Sequence, residues 1–283
     1  MRLDDSWFTE ACDECGTAFS LHQAHKIHDE QSDFQHIEVY ETAKFGKLMV
    51  IDGYVMLTTL DNFIYHEMMS HPALFTATDP KHVLIIGGGD SGTLREVLKH
   101  AAVQHAVQVD IDERVTRVSE MFFPELCEAN ADPRAELLFE DGIKYVADAA
   151  DSSFDVVIID STDPIGQAAR LFSTEFYTDC QRILRDGGVM VAQSESPLCH
   201  LPLIKSMRGN MREAGFSAVQ TLHFPQPCYP TGWWSCTLAG KGIALDAFRY
   251  EAAAQRAFTT RYYSADGHRG AANLPFMQEA LAD

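Results

Sequence analysis

From residue 81 onward, the sequence alternates short apolar runs with amphipathic segments. Strands this apolar are typical of a sheet covered on both faces, and helices between them supply the crossovers that parallel strands need. The pattern therefore predicts a doubly wound α/β domain, closed by an antiparallel hairpin of SAVQTLHF and WWSCTLAG. The predicted strands are 83–86, 105–111, 135–141, 154–160 and 188–193, and the predicted helices cover 92–100, 113–122, 172–185 and 200–214.

The pattern before residue 81 is different. Residues 34–60 alternate as three short strands with turns at Phe45-Gly46 and Asp52-Gly53, and 62–76 has a helical pattern. Asp79-Pro80 then marks a boundary. The sequence thus predicts a small N-terminal β-strand domain over 1–78 and a doubly wound catalytic domain over 79–283.

The charge balance restricts the partners. Lys and Arg number 22 against 41 Asp and Glu, which gives a net charge of −19. Such a field repels phosphate backbones, so we expect small cationic ligands and no nucleic acid. No apolar run approaches the roughly 18 residues of a membrane span, and the acidic start lacks the basic and apolar regions of a signal peptide. We therefore expect a cytoplasmic protein without membrane contact.

Cysteine usage agrees with a reducing compartment. The seven cysteines are scattered and odd in number, which favours free thiols. Cys12 and Cys15 form a CxxC, and His22, His25 and His28 follow it, so four zinc ligands could converge there. No second CxxC completes a structural site, and the sequence predicts a polar N-terminal hairpin with no metal.

A glycine-rich turn follows the first strand of the doubly wound domain. Gly87, Gly89 and Gly92 satisfy GxGxxG before a predicted helix, and Asp110 ends the next strand. This context predicts a nucleotide site in which the acid binds the ribose hydroxyls.

The acid inside that turn indicates which nucleotide binds. Asp90 stands at the helix start, where a carboxylate repels a pyrophosphate. An adenosine that carries a sulfonium and an amine tail fits this charge, whereas NAD does not. Asp141-Gly142 ends the third strand, where a carboxylate could meet the adenine amino group.

The fourth strand ends with two further acids, Asp160 and Asp163. With Asp90 they gather at one rim of the predicted sheet, with no Lys or Arg beside them in sequence. Uncompensated acids in a crevice require a cation, and a polyamine would be one. Tyr65 and Tyr229 offer an apolar ring for a methylene chain and a hydroxyl for an amine.

These motifs resemble those of the polyamine aminopropyltransferases, most closely the bacterial spermidine synthases, over nearly the whole chain. The resemblance implies a β domain before a Rossmann-like, methyltransferase-type domain, and a homodimer. It also implies decarboxylated S-adenosylmethionine as co-substrate, no bound cofactor, putrescine as acceptor, and spermidine and methylthioadenosine as products. The motifs that carry it are VLIIGGGDSGTLREV, FIYHEMMSHPAL, DSTDPIG, PTG after Tyr229, and the tail RYY with HR, AA and LP.

The resemblance also implies roles for single residues. Asp160 would be the catalytic base. The donor nucleoside and its tail would be bound by Gln35, His66, Gly87, Gly89, Asp90, Asp110, Asp141, Gly142 and Gln167. The polyamine would be bound by Tyr65, Asp90, Asp160, Asp163 and Tyr229. Four positions depart from the usual family residues: Met56 for Gln, Ser91 for Gly, Asp110 for Glu and Gln167 for Pro.

Three other functions stay open from the sequence. A methyltransferase that uses S-adenosylmethionine, including one that methylates putrescine, would share the sheet and the ribose acid. A nicotinamide dehydrogenase has the GxGxxG in its favour and Asp90 against it. A non-catalytic polyamine-binding protein would need the same acids without turnover.

Overall fold

The N-terminal part of the chain folds as an antiparallel sheet in the order β1-β2-β3-β4-β5. The computed structural model describes residues 3–13, 16–162 and 166–281, without the side chains of 23–24 and 166–167. Asp52 and Gly53 adopt the positive φ angles that a two-residue hairpin turn requires. The three strands predicted in 34–60 are confirmed. The strands are β1 (Trp7–Cys12), β2 (Thr17–Gln31), β3 (His36–Thr42), β4 (Lys47–Ile51) and β5 (Tyr54–Thr58).

The predicted N-terminal hairpin is present as β1 and β2, which pair in antiparallel register. Cys12 ends β1 and is half-buried, whereas Cys15 of the CxxC lies outside the described residues. Among the described residues, the cluster with the spacing of metal ligands lies elsewhere on this sheet, at Asp29, His36 and Glu38. Lys26 forms ion pairs with Asp29 and Glu38 of that cluster and so supplies a cation already.

The helix α1 (Asn62–Thr76) follows the small sheet, with the bounds that the sequence predicts. Nearly all of its side chains are buried, and Met69 and Leu74 pack in one core with Val83 and Ile85 of the larger sheet. The helix therefore shares its core with the second sheet, although the predicted boundary after residue 78 places it in the first domain. That boundary stays a prediction.

The second sheet has the order β11-β12-β10-β9-β6-β7-β8. Strands β6 to β10 are parallel, and β12 pairs antiparallel with both β10 and β11. The predicted doubly wound α/β fold and its closing hairpin are confirmed. The strands are β6 (His82–Gly87), β7 (His105–Asp110), β8 (Ala135–Phe139), β9 (Phe154–Asp160), β10 (Leu184–Gln193), β11 (Ala218–Pro225) and β12 (Trp233–Gly240).

Helices cover both faces of this sheet. The four predicted helices appear as α2, α3, α5 and α6, whereas α4 and the tail helices α7 to α9 were not predicted. No described helix has both the length and the apolar character needed to cross a bilayer. The helices are α2 (Gly92–Leu98), α3 (Glu113–Phe122), α4 (Gly142–Asp148), α5 (Thr174–Ile183), α6 (Leu201–Glu213), α7 (Tyr250–Ala254), α8 (Ala265–Ala271) and α9 (Pro275–Ala280).

The direction of winding reverses between β6 and β9. From β6 the chain proceeds to β7 and β8 on one side, and from β9 it proceeds to β10 on the other. Ligands of open α/β sheets bind at the carboxyl ends of the strands at such a point. Gly87 and Asp160 are register partners at these two strand ends, so the glycine-rich turn and the predicted catalytic acid meet at the switch point.

Candidate active site

A cavity of about 470 Å³ opens at the carboxyl ends of β6, β7 and β9, a volume typical of small-molecule sites. Among its described lining residues, Arg170 is the basic one. The acidic residues that line it are Asp33, Asp52, Asp90, Asp110, Asp141 and Asp160. The cavity is thus strongly acidic, as the sequence predicts for a cationic ligand.

Glycines allow the acids to approach the turn after β6. Gly87 has a φ of +81°, and a Cβ at this position would overlap the carbonyl oxygen of Asp160. A Cβ on Gly89 would lie 2.8 Å from Oδ2 of Asp110. Both positions therefore require glycine, because the backbone of Asp160 at one and the carboxylate of Asp110 at the other occupy the space of a side chain.

Asp160 is held by two hydroxyl groups at the floor of the cavity. Its side chain accepts hydrogen bonds from Oη of Tyr65 at 2.7 Å and from Oγ1 of Thr93 at 2.6 Å. Burial and the nearby charge of Asp90 raise its pKa above the ordinary value, although both hydrogen bonds oppose this shift. Burial, followed by the charge of Asp160, raises the pKa of Tyr65, which stays a hydrogen-bond donor.

Asp90 is paired with His66 from α1. Nε2 of His66 lies 3.2 Å from Oδ1 and 3.3 Å from Oδ2 of Asp90, and the backbone N–H of Gly92 donates to Oδ1 at 2.6 Å. Burial alone would raise the pKa of Asp90, but the charge and hydrogen bond of His66 outweigh it and lower the pKa. Asp90 is therefore an anion at the start of α2, where the sequence argument placed one.

Asp110 lies at the end of β7 beside the glycine turn. Burial raises its pKa to about 6, against the hydrogen bond that it accepts from the backbone of Asp112. Nε2 of Gln35 donates to Asp112 at 3.0 Å, which fixes Gln35 of the small sheet at the cavity wall. Asp141 accepts from the backbone N–H of Ile143 as the N-cap of α4 and lines the same cavity.

A second cleft of about 500 Å³ joins the first. Three acids line it: Glu10 from β1, Asp13 after it, and Glu195 beyond the end of β10. Both spaces share the side chains of Met56, Tyr65, Ser161, Thr162 and Tyr229. The two acid-lined cavities are therefore neighbours, with Tyr65 and Tyr229 at their common boundary.

The loop that contains Tyr229 is hydrogen-bonded to β5 of the small sheet and to the residue before α1. Oη of Tyr229 donates to the backbone oxygen of Met56 at 2.7 Å, and the rings of Tyr229 and Tyr65 meet edge to face at 5.9 Å. Buried Asp61 accepts from the backbone N–H of Cys228 at 2.9 Å. Met56, a departure from the usual family residue, thus stands at the junction of the two cavities.

Comparison with known proteins agrees with this geometry. Residues 62–247 match the family described as the spermine/spermidine synthase domain, and residues 6–59 match the spermidine synthase tetramerisation domain. The chain belongs to the spermidine synthase family. This assignment confirms the family that the sequence motifs predicted, and with it the aminopropyltransferase activity.

Spermidine synthase relatives match almost end to end. Two proteins named polyamine aminopropyltransferase are each 59% identical: that of Methylococcus capsulatus over 98% of this chain and 97% of its own length, and that of Thioalkalivibrio sulfidiphilus over 99% of both. A solved spermidine synthase in complex with the transition-state analogue AdoDATO superposes with a TM-score of 0.94 at 34% identity, over 99% of this chain and 96% of that one. The Thermotoga maritima spermidine synthase gives 0.91 at 35% identity, over 97% and 94%.

The family assignment settles several broad expectations. The Rossmann-like fold behind a small β domain is confirmed, and so are spermidine synthase function and the use of decarboxylated S-adenosylmethionine as a co-substrate without a bound cofactor. The tetramerisation-domain match associates residues 6–59 with oligomer formation.

Most site residues predicted from the spermidine synthase motifs lie together. His66 lies behind Asp90 and is not among the described lining residues of either cavity. Asp163 lies outside the described residues, as does the side chain of Gln167. The predicted residues that line the first cavity are Gln35, Tyr65, Gly87, Gly89, Asp90, Asp110, Asp141, Gly142, Asp160 and Tyr229.

Other residues of this spermidine synthase site were missed. Glu195 follows the carboxyl end of β10, so the rule that located Asp160 could have found it. Thr93 lies one position into α2 and has no sequence signal of its own. Glu10 lies in β1, and only the packing of the two domains brings it to the second cleft.

Proposed function

We propose that this chain transfers the aminopropyl group of decarboxylated S-adenosylmethionine to putrescine, giving spermidine and methylthioadenosine. The observation that carries the proposal is the junction of two acid-lined cavities at Tyr65, with Asp160 beside it. One cavity has the size and polarity for a nucleoside with a cationic arm. The other has acidic walls that suit a cationic amine and shares Tyr65, the hydrogen-bond partner of Asp160, with the first.

The donor occupies the first cavity in this proposal. Asp110 and Gln35 bind the ribose, Asp141 and Gly142 meet the adenine, and Gln167 contributes from the segment after β9. Gly87 and Gly89 leave room for the nucleoside at the turn after β6. Asp90 binds the ammonium of the aminopropyl arm and so directs the sulfonium and its reactive methylene towards Asp160.

The acceptor enters through the second cleft. Its reacting amine binds near Asp160, and the rings of Tyr65 and Tyr229 contact the methylene chain. Asp163 is proposed to help orient the diamine. Glu10 and Glu195 line that cleft, Glu195 within 3.5 Å of His200, and suit the second amine, which stays protonated. A diamine has a short apolar chain with an amine at each end. It thus matches a site with carboxylates for the amines and tyrosine rings for the methylene chain.

The transfer is a substitution at carbon. The neutral amine nitrogen of putrescine attacks the methylene carbon, the carbon–sulfur bond breaks, and its electron pair stays on sulfur as the neutral thioether of methylthioadenosine. The positive charge moves from sulfur to nitrogen, and spermidine leaves with its new secondary amine as an ammonium. The one proton released is the proton that the acceptor amine gave up before the attack. The site must hold nitrogen, carbon and sulfur in line for this step.

Asp160 serves this step in two ways. A primary amine with a pKa near 10.4 is protonated at pH 7, so presenting it neutral costs about 4.6 kcal/mol at about 1.36 kcal/mol per pKa unit. Asp160 accepts or relays that proton, and its raised pKa makes it a better base than an exposed aspartate. Its carboxylate also stabilises the positive charge that develops on nitrogen.

The same acids select the donor. S-adenosylmethionine carries a carboxylate on the arm that would reach Asp90, and like charges in a half-enclosed site repel strongly. The decarboxylated donor lacks that group and keeps only the ammonium.

One incubation tests the proposed function. The protein is mixed with putrescine and either decarboxylated or intact S-adenosylmethionine, and methylthioadenosine and the amine products are measured. We expect methylthioadenosine and spermidine in equal amounts with the decarboxylated donor alone. A methylated amine formed with the intact donor would establish the methyltransferase alternative. Binding of both substrates without either product would establish a polyamine-binding protein.

The molecular setting is part of the proposal. We propose a homodimer; the tetramerisation-domain match of residues 6–59 supports oligomer formation through the N-terminal domain. We also propose a cytoplasmic location, which suits the odd number and scattered placement of the seven cysteines. Light scattering coupled to size-exclusion chromatography measures the first, and fractionation of the host cell measures the second.

A further inference from the structure

His66 forms a built charge pair behind the donor cavity. The side chain is 1% exposed, and its Nε2 faces both carboxylate oxygens of Asp90, whose own side chain is 18% exposed. Gly92 packs against the imidazole ring, because a Cβ there would overlap it. Asp90 already has a partner of opposite charge before any ligand binds, and His66 is that partner.

The surroundings of His66 come from several elements. Asp90 and Asp160 favour its charged form, from the turn after β6 and from the end of β9, whereas Arg95 on α2 opposes it. Burial alone would lower its pKa, but the two carboxylates outweigh burial and raise the pKa above 6.5.

The remaining groups near this pair do not compete for its proton. Tyr65, the preceding residue on α1, and Tyr229 both have pKa values raised by burial and stay neutral. Cys127 contacts the backbone of Asp90, and burial raises the pKa of its thiol to about 12. Nδ1 of His66 is buried and has no hydrogen-bond partner in the described part of the chain.

The ammonium of the donor arm would be a second cation on the same carboxylate. Resting on the proposed function, we propose that binding of decarboxylated S-adenosylmethionine expels a proton from His66, so that the ligand ammonium replaces the imidazolium as the charge partner of Asp90. The carboxylate cannot neutralise two adjacent cations in a half-buried site, and of the two the imidazolium is the weaker holder of its proton. An N–H bond of the imidazolium breaks with its electron pair left on nitrogen, the proton goes to solvent, and no bond between heavy atoms changes.

Linkage makes the exchange measurable. Because a proton competes with the donor arm, affinity for the donor rises with pH, by up to about tenfold per pH unit while His66 is protonated in the free protein. Methylthioadenosine has the same adenosine but no aminopropyl arm. It leaves the pair of His66 and Asp90 intact, and so serves as the matched control ligand.

Calorimetry in two buffers of different ionisation enthalpy tests the proposal. We expect decarboxylated S-adenosylmethionine at pH 6 to release nearly one proton per site more than methylthioadenosine releases. Any proton linked to Asp110, whose pKa is about 6, cancels in this difference because both ligands carry the ribose. Equal release by the two ligands would overturn the proposal. Absence of donor binding altogether would instead overturn the proposed function.

The variant His66→Gln identifies the source of the proton. Glutamine keeps a donor for Asp90 but cannot titrate, so we expect the extra release to vanish and the pH dependence of donor affinity to fall to that of methylthioadenosine. Unchanged affinity for methylthioadenosine shows that the variant folds. If the extra proton persists in the variant, it comes from Asp160, whose pKa is also raised, and the proposal is wrong.

Discussion

Oη of Tyr65 donates a 2.7 Å hydrogen bond to Oδ1 of Asp160, which joins the helix after the small sheet to the switch point of the large one. The bond is buried and ends on a carboxylate, the kind of hydrogen bond that contributes about 1.5–3 kcal/mol. It lowers the pKa of Asp160 against burial and the charge of Asp90.

Tyr65→Phe should therefore change the pH profile as well as the rate. We expect kcat to fall about tenfold and the acidic limb of the pH–rate profile to move to higher pH, because Asp160 loses a hydrogen bond that favours its charged form. Initial rates between pH 5 and 9 measure both effects. A lower kcat with an unmoved limb would mean that Tyr65 only positions the acceptor.

Asp160→Asn should remove turnover and leave nucleoside binding. We expect kcat to fall by at least about 100-fold, while affinity for methylthioadenosine stays within about twofold. Asp155→Asn is the matched control, since Asp155 lies on the same strand but holds the backbone N–H groups of Lys81 and His82. The control should lower the melting temperature and keep kcat. Equal losses of binding and turnover in Asp160→Asn would indicate a structural acid.

Asp90→Asn should relax the selection of the donor. The neutral amide no longer repels the carboxylate of S-adenosylmethionine and binds the ammonium of the decarboxylated donor less well. Direct titrations measure the Kd of S-adenosylmethionine divided by the Kd of the decarboxylated donor. We expect this ratio to fall at least about tenfold, towards unity. A ratio equal to that of the unaltered protein would contradict the proposed role of Asp90.

Gly87→Ala should be severely destabilising. The residue has a φ of +81°, which costs an alanine about 1–2 kcal/mol, and the new Cβ would overlap the backbone of Asp160. We expect a loss of at least about 2 kcal/mol in the free energy of unfolding, measured by urea denaturation. Gly209→Ala, at an exposed position of α6, meets no neighbour and should be neutral or stabilising by up to about 1 kcal/mol. Similar stability of the two variants would refute the assigned clash.

Nucleoside binding should weaken in mild acid. The carboxylate of Asp110 has a pKa of about 6, so below pH 6 it is protonated and loses its charge as an acceptor for the ribose. We expect the Kd of methylthioadenosine to rise as pH falls from 6.5 to 5, by up to about tenfold per unit. Asp110→Asn should show weak and nearly pH-independent binding. A flat profile in the unaltered protein would exclude this role.

Sequence reasoning located one half of the site better than the other. The acids at the ends of β6, β7 and β9 were found because the strands are apolar runs and their carboxyl ends share one edge. Glu10 was missed because it reaches the second cleft only when β1 packs beside the loop of Tyr229. The helix α4 was missed because Asp141-Gly142 has the pattern of a turn, whereas Asp141 acts as its N-cap.

The sequence by itself determined the order of the elements, the nucleotide-binding turn and the acidic character of the rim, since hydrophobic period and strand ends are local properties of the chain. Only the tertiary structure decided that His66 pairs with Asp90 and that Tyr65 holds Asp160. Tyr65 and His66 lie on α1, which is buried on nearly every side. Its sequence therefore has no apolar stripe from which to predict which face of the helix is turned to the site. Packing between the two sheets fixes the rotation of α1 about its axis. It thereby sets which side chains contact the acids that would bind the donor, and so the charge on those acids.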